Sequence, residues 1–213
     1  MSHVQCVVVL GMLFLIGNVI GENPYYPNPW SFYSLVDFPT SDSSYIAEGY
    51  LYGTSYREDE HGVGYYYQNY FVYDEKRVYH VNLNTEDNPI DCTIIPYLTL
   101  PWAPDMFENA TFFESTIIQD VECDLYKGNW NDLKYEMCHK PSQSSSISKN
   151  SDIPNGYMVY FLTTYKPPFF TIPTPISYTF YDFKSGIQAA SLVTKNDLIP
   201  PNICNNSNFT ETT

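Results

Sequence analysis

Tyrosine and phenylalanine crowd the stretches of this sequence that can form regular structure, and this limits the fold more than any other feature. The run Tyr65-Tyr66-Tyr67-Gln68-Asn69-Tyr70-Phe71-Val72-Tyr73 is representative of a chain with 21 Tyr, 13 Phe and 3 Trp in 213 residues. Aromatic and β-branched residues fit a pleated, half-buried surface, and long aliphatic helix formers are few, so an all-β or mostly β protein is expected. Tyrosine joins an apolar ring to a hydroxyl tip, so many of these rings can pave a half-wet sheet face without filling a core.

The clearest hairpin runs from 65–73 through Asp74-Glu75-Lys76 into Arg77-Val78-Tyr79-His80-Val81-Asn82-Leu83. In its second arm Tyr79, Val81 and Leu83 share one face and Val78, His80 and Asn82 the other, a period-two pattern that predicts one buried face. Further strands are expected at 45–53, 90–100, 111–118, 121–126, 133–138, 156–165 and 175–183, with a closing strand at 186–193 after a turn at Lys184-Ser185-Gly186. That makes roughly nine antiparallel strands, with no helix and no internal repeat. The prolines of Asn23-Pro24-Tyr25-Tyr26-Pro27-Asn28-Pro29 predict an irregular arm over 22–43. Arg57-Glu58-Asp59-Glu60-His61-Gly62 reads as a charged turn, Lys127-Gly128-Asn129-Trp130-Asn131 as a hairpin turn, and the serine-rich 141–152 as a mobile loop.

The first 21 residues read as a signal peptide. A short apolar run, Cys6 to Ile16, precedes Val19 and Gly21, which suit cleavage before Glu22. Removal of Cys6 leaves Cys92, Cys123, Cys138 and Cys204, an even set suited to disulfides in an oxidising compartment. Four cysteines permit three connectivities. Pairing of 121–126 with 133–138 places Cys123 across from Cys138, which favours that bridge and leaves Cys92 to Cys204. Sequons at Asn109, Asn205 and Asn208 mark glycosylation sites for a chain that passes through the secretory lumen. A polar ending at 205–213 has no segment for lipid anchoring, so a secreted, extracellular protein without a membrane anchor is expected.

A net charge of −14 opposes nucleic acid and anionic membrane surfaces as partners. No Gly-x-Ser-x-Gly, His-Glu-x-x-His, Cys-x-x-Cys or phosphate-cradling loop is present. The cysteines read as staples, His61, His80 and His139 as solvated residues, and Glu58-Asp59-Glu60 and Asp74-Glu75 as ordinary turn charges. No catalytic residue, metal site or cofactor is therefore expected, and the chain is not read as an enzyme. What remains is binding. Tyr67, Phe71, Tyr73, Tyr79, Val81, Tyr160, Leu162, Tyr178 and Phe180 are the strand residues expected to line a pocket for a hydrophobic small molecule or lipid. The competing reading is an extracellular interaction or adhesion protein whose rings fill a core.

The segment Tyr70-Phe71-Val72-Tyr73-Asp74-Glu75-Lys76-Arg77-Val78 resembles the Phe-x-Tyr-Asp…Arg-Val stretch of ependymin-related secreted glycoproteins. Gly128-Asn129-Trp130, the paired cysteines and the ending Pro200-Pro201-Asn202-Ile203-Cys204 add to the resemblance, which covers most of 45–204. It implies one β domain over 22–204, similar to bacterial LolA-type lipoprotein carriers. Two curved antiparallel sheets would face each other around a deep hydrophobic pocket for lipid or fatty acyl ligands, often in a homodimer.

Overall fold

A computed structural model of the protein describes residues 23–96, 102, 106–130, 133–142, 154–165 and 174–206. The first 21 residues, expected to be a signal peptide, nearly all of the serine-rich stretch and the Asn208 sequon lie outside the described residues.

The protein is all-β, and its strands form one antiparallel sheet that is not closed. Among the described residues eleven strands occur in chain order: β1 (Trp30–Phe38), β2 (Ser43–Tyr52), β3 (Ser55–Gly62), β4 (Tyr65–Val72), β5 (Arg77–Leu83), β6 (Pro89–Pro96), β7 (Thr111–Ile118), β8 (Val121–Trp130), β9 (Leu133–Pro141), β10 (Gly156–Tyr165) and β11 (Thr174–Ser185). Their spatial order is β6-β5-β4-β3-β2-β1-β11-β10-β9-β8-β7. Two meanders thus meet where β1 pairs with β11, a seam broken once by a register shift between Tyr33 and Ser34. The pairing across that seam makes one sheet where two were expected.

The strands found differ from those expected for identifiable reasons. After its prolines the arm becomes β1, whose Trp30, Phe32, Ser34 and Val36 are buried on one face. The charged stretch 57–62 is β3, not a turn, and Glu58 and Asp59 are buried in it. The stretch 127–130 also belongs to a strand, with Gly128 opposite Tyr135. The expected strand at 186–193 is absent. β11 already has β1 on one edge and β10 on the other, so a hairpin partner has no edge to join. Gly186, at φ 57°, instead turns the chain into a 3-10 segment and donates its N–H toward the Pro27 and Pro29 carbonyls.

Rings cluster on one face. A single cluster joins Val78 of β5 to Tyr126 of β8 and includes Trp30, Phe32, Tyr56, Phe161, Tyr178 and Phe180. Eleven strands laid flat would span roughly 48 Å, so the sheet must curl around these side chains to gather them. From the connection between β6 and β7, Trp102, Met106 and Phe107 enter the same concavity and are almost fully buried. Trp102 packs on Phe161 at 4.6 Å and Tyr178 at 5.1 Å, and Tyr135 donates a 2.7 Å hydrogen bond to the Met106 carbonyl. Burying one such side chain is worth about 1.5–3 kcal/mol. Gly49 exists because the Phe32 ring lies over it: a Cβ there would come within 2.1 Å of that ring.

The outer face carries two smaller clusters, each under a disulfide. The C-terminal segment crosses the outside of the first meander, where Cys204 bonds Cys92 and joins Tyr70, Val81 and Leu83. Arg57 supports it by donating to the Asp197 carbonyl at 3.2 Å while paired with Asp59. On the second meander Cys123–Cys138 packs with Val159. Leu125 is the residue directly opposite Cys138, so this bridge is diagonal. Both bridges join the cysteines that the sequence pattern pairs.

Candidate functional site

The concave face of β1–β6 is built in transverse rows, because antiparallel register stacks directly opposed side chains across neighbouring strands. The first row is apolar: Trp30, Leu51, Tyr56, Phe71, Val78 and Ile95. The next begins with Phe32 and Gly49 and turns polar through Glu58, Asn69, His80 and Thr93. The third reads Ser34, Ala47, Glu60, Tyr67, Asn82 and Asp91. One concavity is thus greasy at one end and carboxylate-rich at the other.

The buried polar groups are joined to one another. Tyr45 donates to Glu58 Oε1 at 2.8 Å, and Tyr56 donates to the other oxygen. Asn69 Nδ2 donates to Glu60 Oε1, and the Asn69 carbonyl oxygen lies 2.6 Å from His80 Nδ1. An amide oxygen only accepts, so His80 carries its hydrogen on Nδ1 and its lone pair on Nε2. Desolvation by burial raises the Glu58 carboxyl pKa, against the lowering pull of its two tyrosine donors. Burial, and the Glu58 charge beside it, push Glu60 up to about 8. Burial lowers the pKa of His80, so its imidazole is neutral at pH 7. The rings of Tyr65 and Tyr67 stack at 5.0 Å beside this cluster, and Tyr67 lies 4.5 Å from His80.

No protein-family model matches this chain, and no curated protein matches it. The reading of the site rests on its own geometry.

Of the residues expected to line a pocket, Tyr67, Phe71, Tyr178 and Phe180 share the concave face. Tyr79 and Val81 face outward under the C-terminal segment, Tyr160 joins the outer cluster of the second meander, and Leu162 alternates out of phase with the inward Phe161. Tyr73 sits exposed in the 3-10 turn Tyr73–Glu75. The alternation in β5 was legible but its inside and outside were exchanged, because the more apolar face is the one the C-terminal segment covers. A one-residue change of phase turns every side chain over.

Sequence reasoning passed over Glu58, Glu60, Asn69 and His80, since charge in a short run imitates a turn. The available signal was alternation: Tyr56, Glu58 and Glu60 lie two apart, as do Arg57 and Asp59. His139 is likewise not solvated. It is buried against the Tyr26 hydroxyl at 2.7 Å, and burial pulls its pKa down to about 4. Among the described residues no group of His, Cys, Asp and Glu is arranged to hold a metal, and no helix is long and apolar enough to cross a membrane. Asn109 and Asn205 are exposed. Asn109 borders an open cleft of about 590 Å³ with Lys127, Lys134 and Glu136.

Proposed function

We propose that the protein is a secreted carrier of an amphiphilic small molecule, held on the concave face of its sheet with an apolar chain among the rings and a head group at the polar rows. The observation that carries this reading is the division of that face: one row of Trp30, Leu51, Tyr56 and Phe71 beside rows containing Glu58, Asn69, His80 and Glu60. A core that served stability alone would gain little from buried carboxylates, each of which costs several kcal/mol to desolvate. Two disulfides and exposed asparagines in sequons agree with an extracellular setting.

A second reading has its own observation. Trp102, Met106 and Phe107 already occupy the apolar end, which favours an interaction protein with a filled core. On the carrier reading these three side chains give way to, or pack beside, the ligand's chain. Delipidated protein titrated with a fluorescent alkyl probe bearing an uncharged head separates the two. The carrier takes up the probe saturably, one per chain, whereas a filled core leaves its emission at the level of buffer.

A further inference from the structure

A head group held on the concave face of β2–β6 meets carboxyl groups and no lysine or arginine. The polar rows contribute Glu58, Glu60 and Asp91 and contain no lysine or arginine. Arg57 of β3 points to the opposite face and is held by Asp59 there, with a 2.6 Å hydrogen bond from its Nε. A fatty-acid carboxylate placed here would lie among three carboxyl groups with no lysine or arginine in these rows to pair it, and an unpaired charge held away from water is costly.

The two glutamates have different roles. Both oxygens of Glu58 accept tyrosine hydroxyls, so that carboxylate is satisfied by the protein. Glu60 has one amide donor, from Asn69, and lies on the partly accessible side of the cluster next to Tyr67. The row it shares runs through Ala47 to Ser34, a stretch without an aromatic side chain between the Phe180 and Tyr67 rings. Ser34 is fully buried, faces the same side, and its hydroxyl has no hydrogen-bond partner among the described residues. A buried hydroxyl left without a partner is destabilising unless a ligand group meets it. Tyr65 and Tyr67 add ring faces, the surface that attracts an ammonium group.

We infer that this face binds an alkyl amine: an ammonium head paired with Glu60 between the Tyr65 and Tyr67 rings and the Ser34 hydroxyl, with its chain along the apolar row. This rests on the carrier reading and narrows its ligand to cationic amphiphiles. The negative charge of the whole chain favours their capture.

The test compares four ligands with the same twelve-carbon chain below their micellar concentrations: dodecylamine, dodecyltrimethylammonium, dodecanol and dodecanoate. Binding to intact delipidated protein is measured calorimetrically at pH 9, where Glu60 is ionised and the alkyl amine is still cationic, and again for Glu60→Gln and Ser34→Ala. The two cations are expected to bind at least tenfold more tightly than dodecanoate, with dodecanol between them. Glu60→Gln should collapse the cation-to-alcohol ratio toward one without abolishing dodecanol binding, and Ser34→Ala should weaken dodecylamine more than dodecyltrimethylammonium, which has no N–H to donate. If dodecanoate binds as well as dodecylamine, or Glu60→Gln leaves the ratio unchanged, the ammonium assignment is overturned while the carrier reading stands. If none of the four binds, both fail.

Discussion

At the scale of single residues the concave cluster is an exercise in proton placement. Asn69 uses its amide nitrogen on Glu60 and its oxygen on His80, which fixes the imidazole tautomer and joins a β3 side chain to a β5 side chain through β4. Folding therefore changes proton affinities, and the sign of each change sets a stability window. Glu60 is raised from 4.5 to about 8, so between those values the folded chain keeps a proton that the unfolded chain loses, and stability falls as pH rises. His139 is lowered from 6.5 to about 4, so in that window the unfolded chain binds the extra proton and stability rises with pH. The two oppose each other below about pH 6.5. From 6.5 to 8 the Glu60 effect stands without the His139 effect. Over that interval the wild type is expected to lose on the order of 1–2 kcal/mol, or roughly 2–8 °C in Tm, and Glu60→Gln to flatten the slope. Calorimetric melts at half-unit pH steps check this. A slope retained in Glu60→Gln would mean that another group titrates there.

Among the elements, the C-terminal segment has the largest influence for its size. It carries two 3-10 turns, Lys195–Leu198 and Asn202–Asn206, across the outside of β2–β6, held by the Cys92–Cys204 bridge and by Arg57. The bridge spans 112 residues of sequence, and loss of a native disulfide in a secreted domain costs about 2–5 kcal/mol. The double change Cys92→Ser with Cys204→Ser should lower stability by that amount in urea. Amides of β5 and β6 should exchange faster, while β9 and β10, which carry the other bridge, keep their protection. Uniform acceleration across all strands would show that the segment does not act locally. The same element explains where the sequence pattern misled. Alternation in β4 and β5 located both strands and their turn almost to the residue, but Val81 and Leu83 are buried beneath a distant segment, and no local pattern reveals a second cover. β3 was hidden for a related reason: Glu58 needs tyrosines from β2 and from its own strand, and Asp59 needs Arg57, before a charged run can lie inside a sheet. The cysteine pairs were legible because hairpin register and simple elimination already constrain them.

For the whole molecule, two meanders share one continuous sheet, and the curl that buries their rings also sets an acidic patch beside an aromatic one. Aromatic composition alone indicated a β-protein. It did not reveal the seam between β1 and β11, since strand order is a long-range property, nor the entry of Trp102, Met106 and Phe107 into the concavity from a connecting segment. All three tryptophans report on that space: Trp30 and Trp102 lie within the aromatic cluster, and Trp130 packs against it. The most direct test of a ligand on this face is therefore quenching of their fluorescence by an uncharged alkyl alcohol brominated along its chain, a heavy atom that quenches only near contact. Carriage on the concave face should give a saturable loss of emission at one ligand per chain, reversed by the same alcohol without bromine. Emission that stays constant, or that falls linearly without saturation, would contradict it and leave the rings as a filled core.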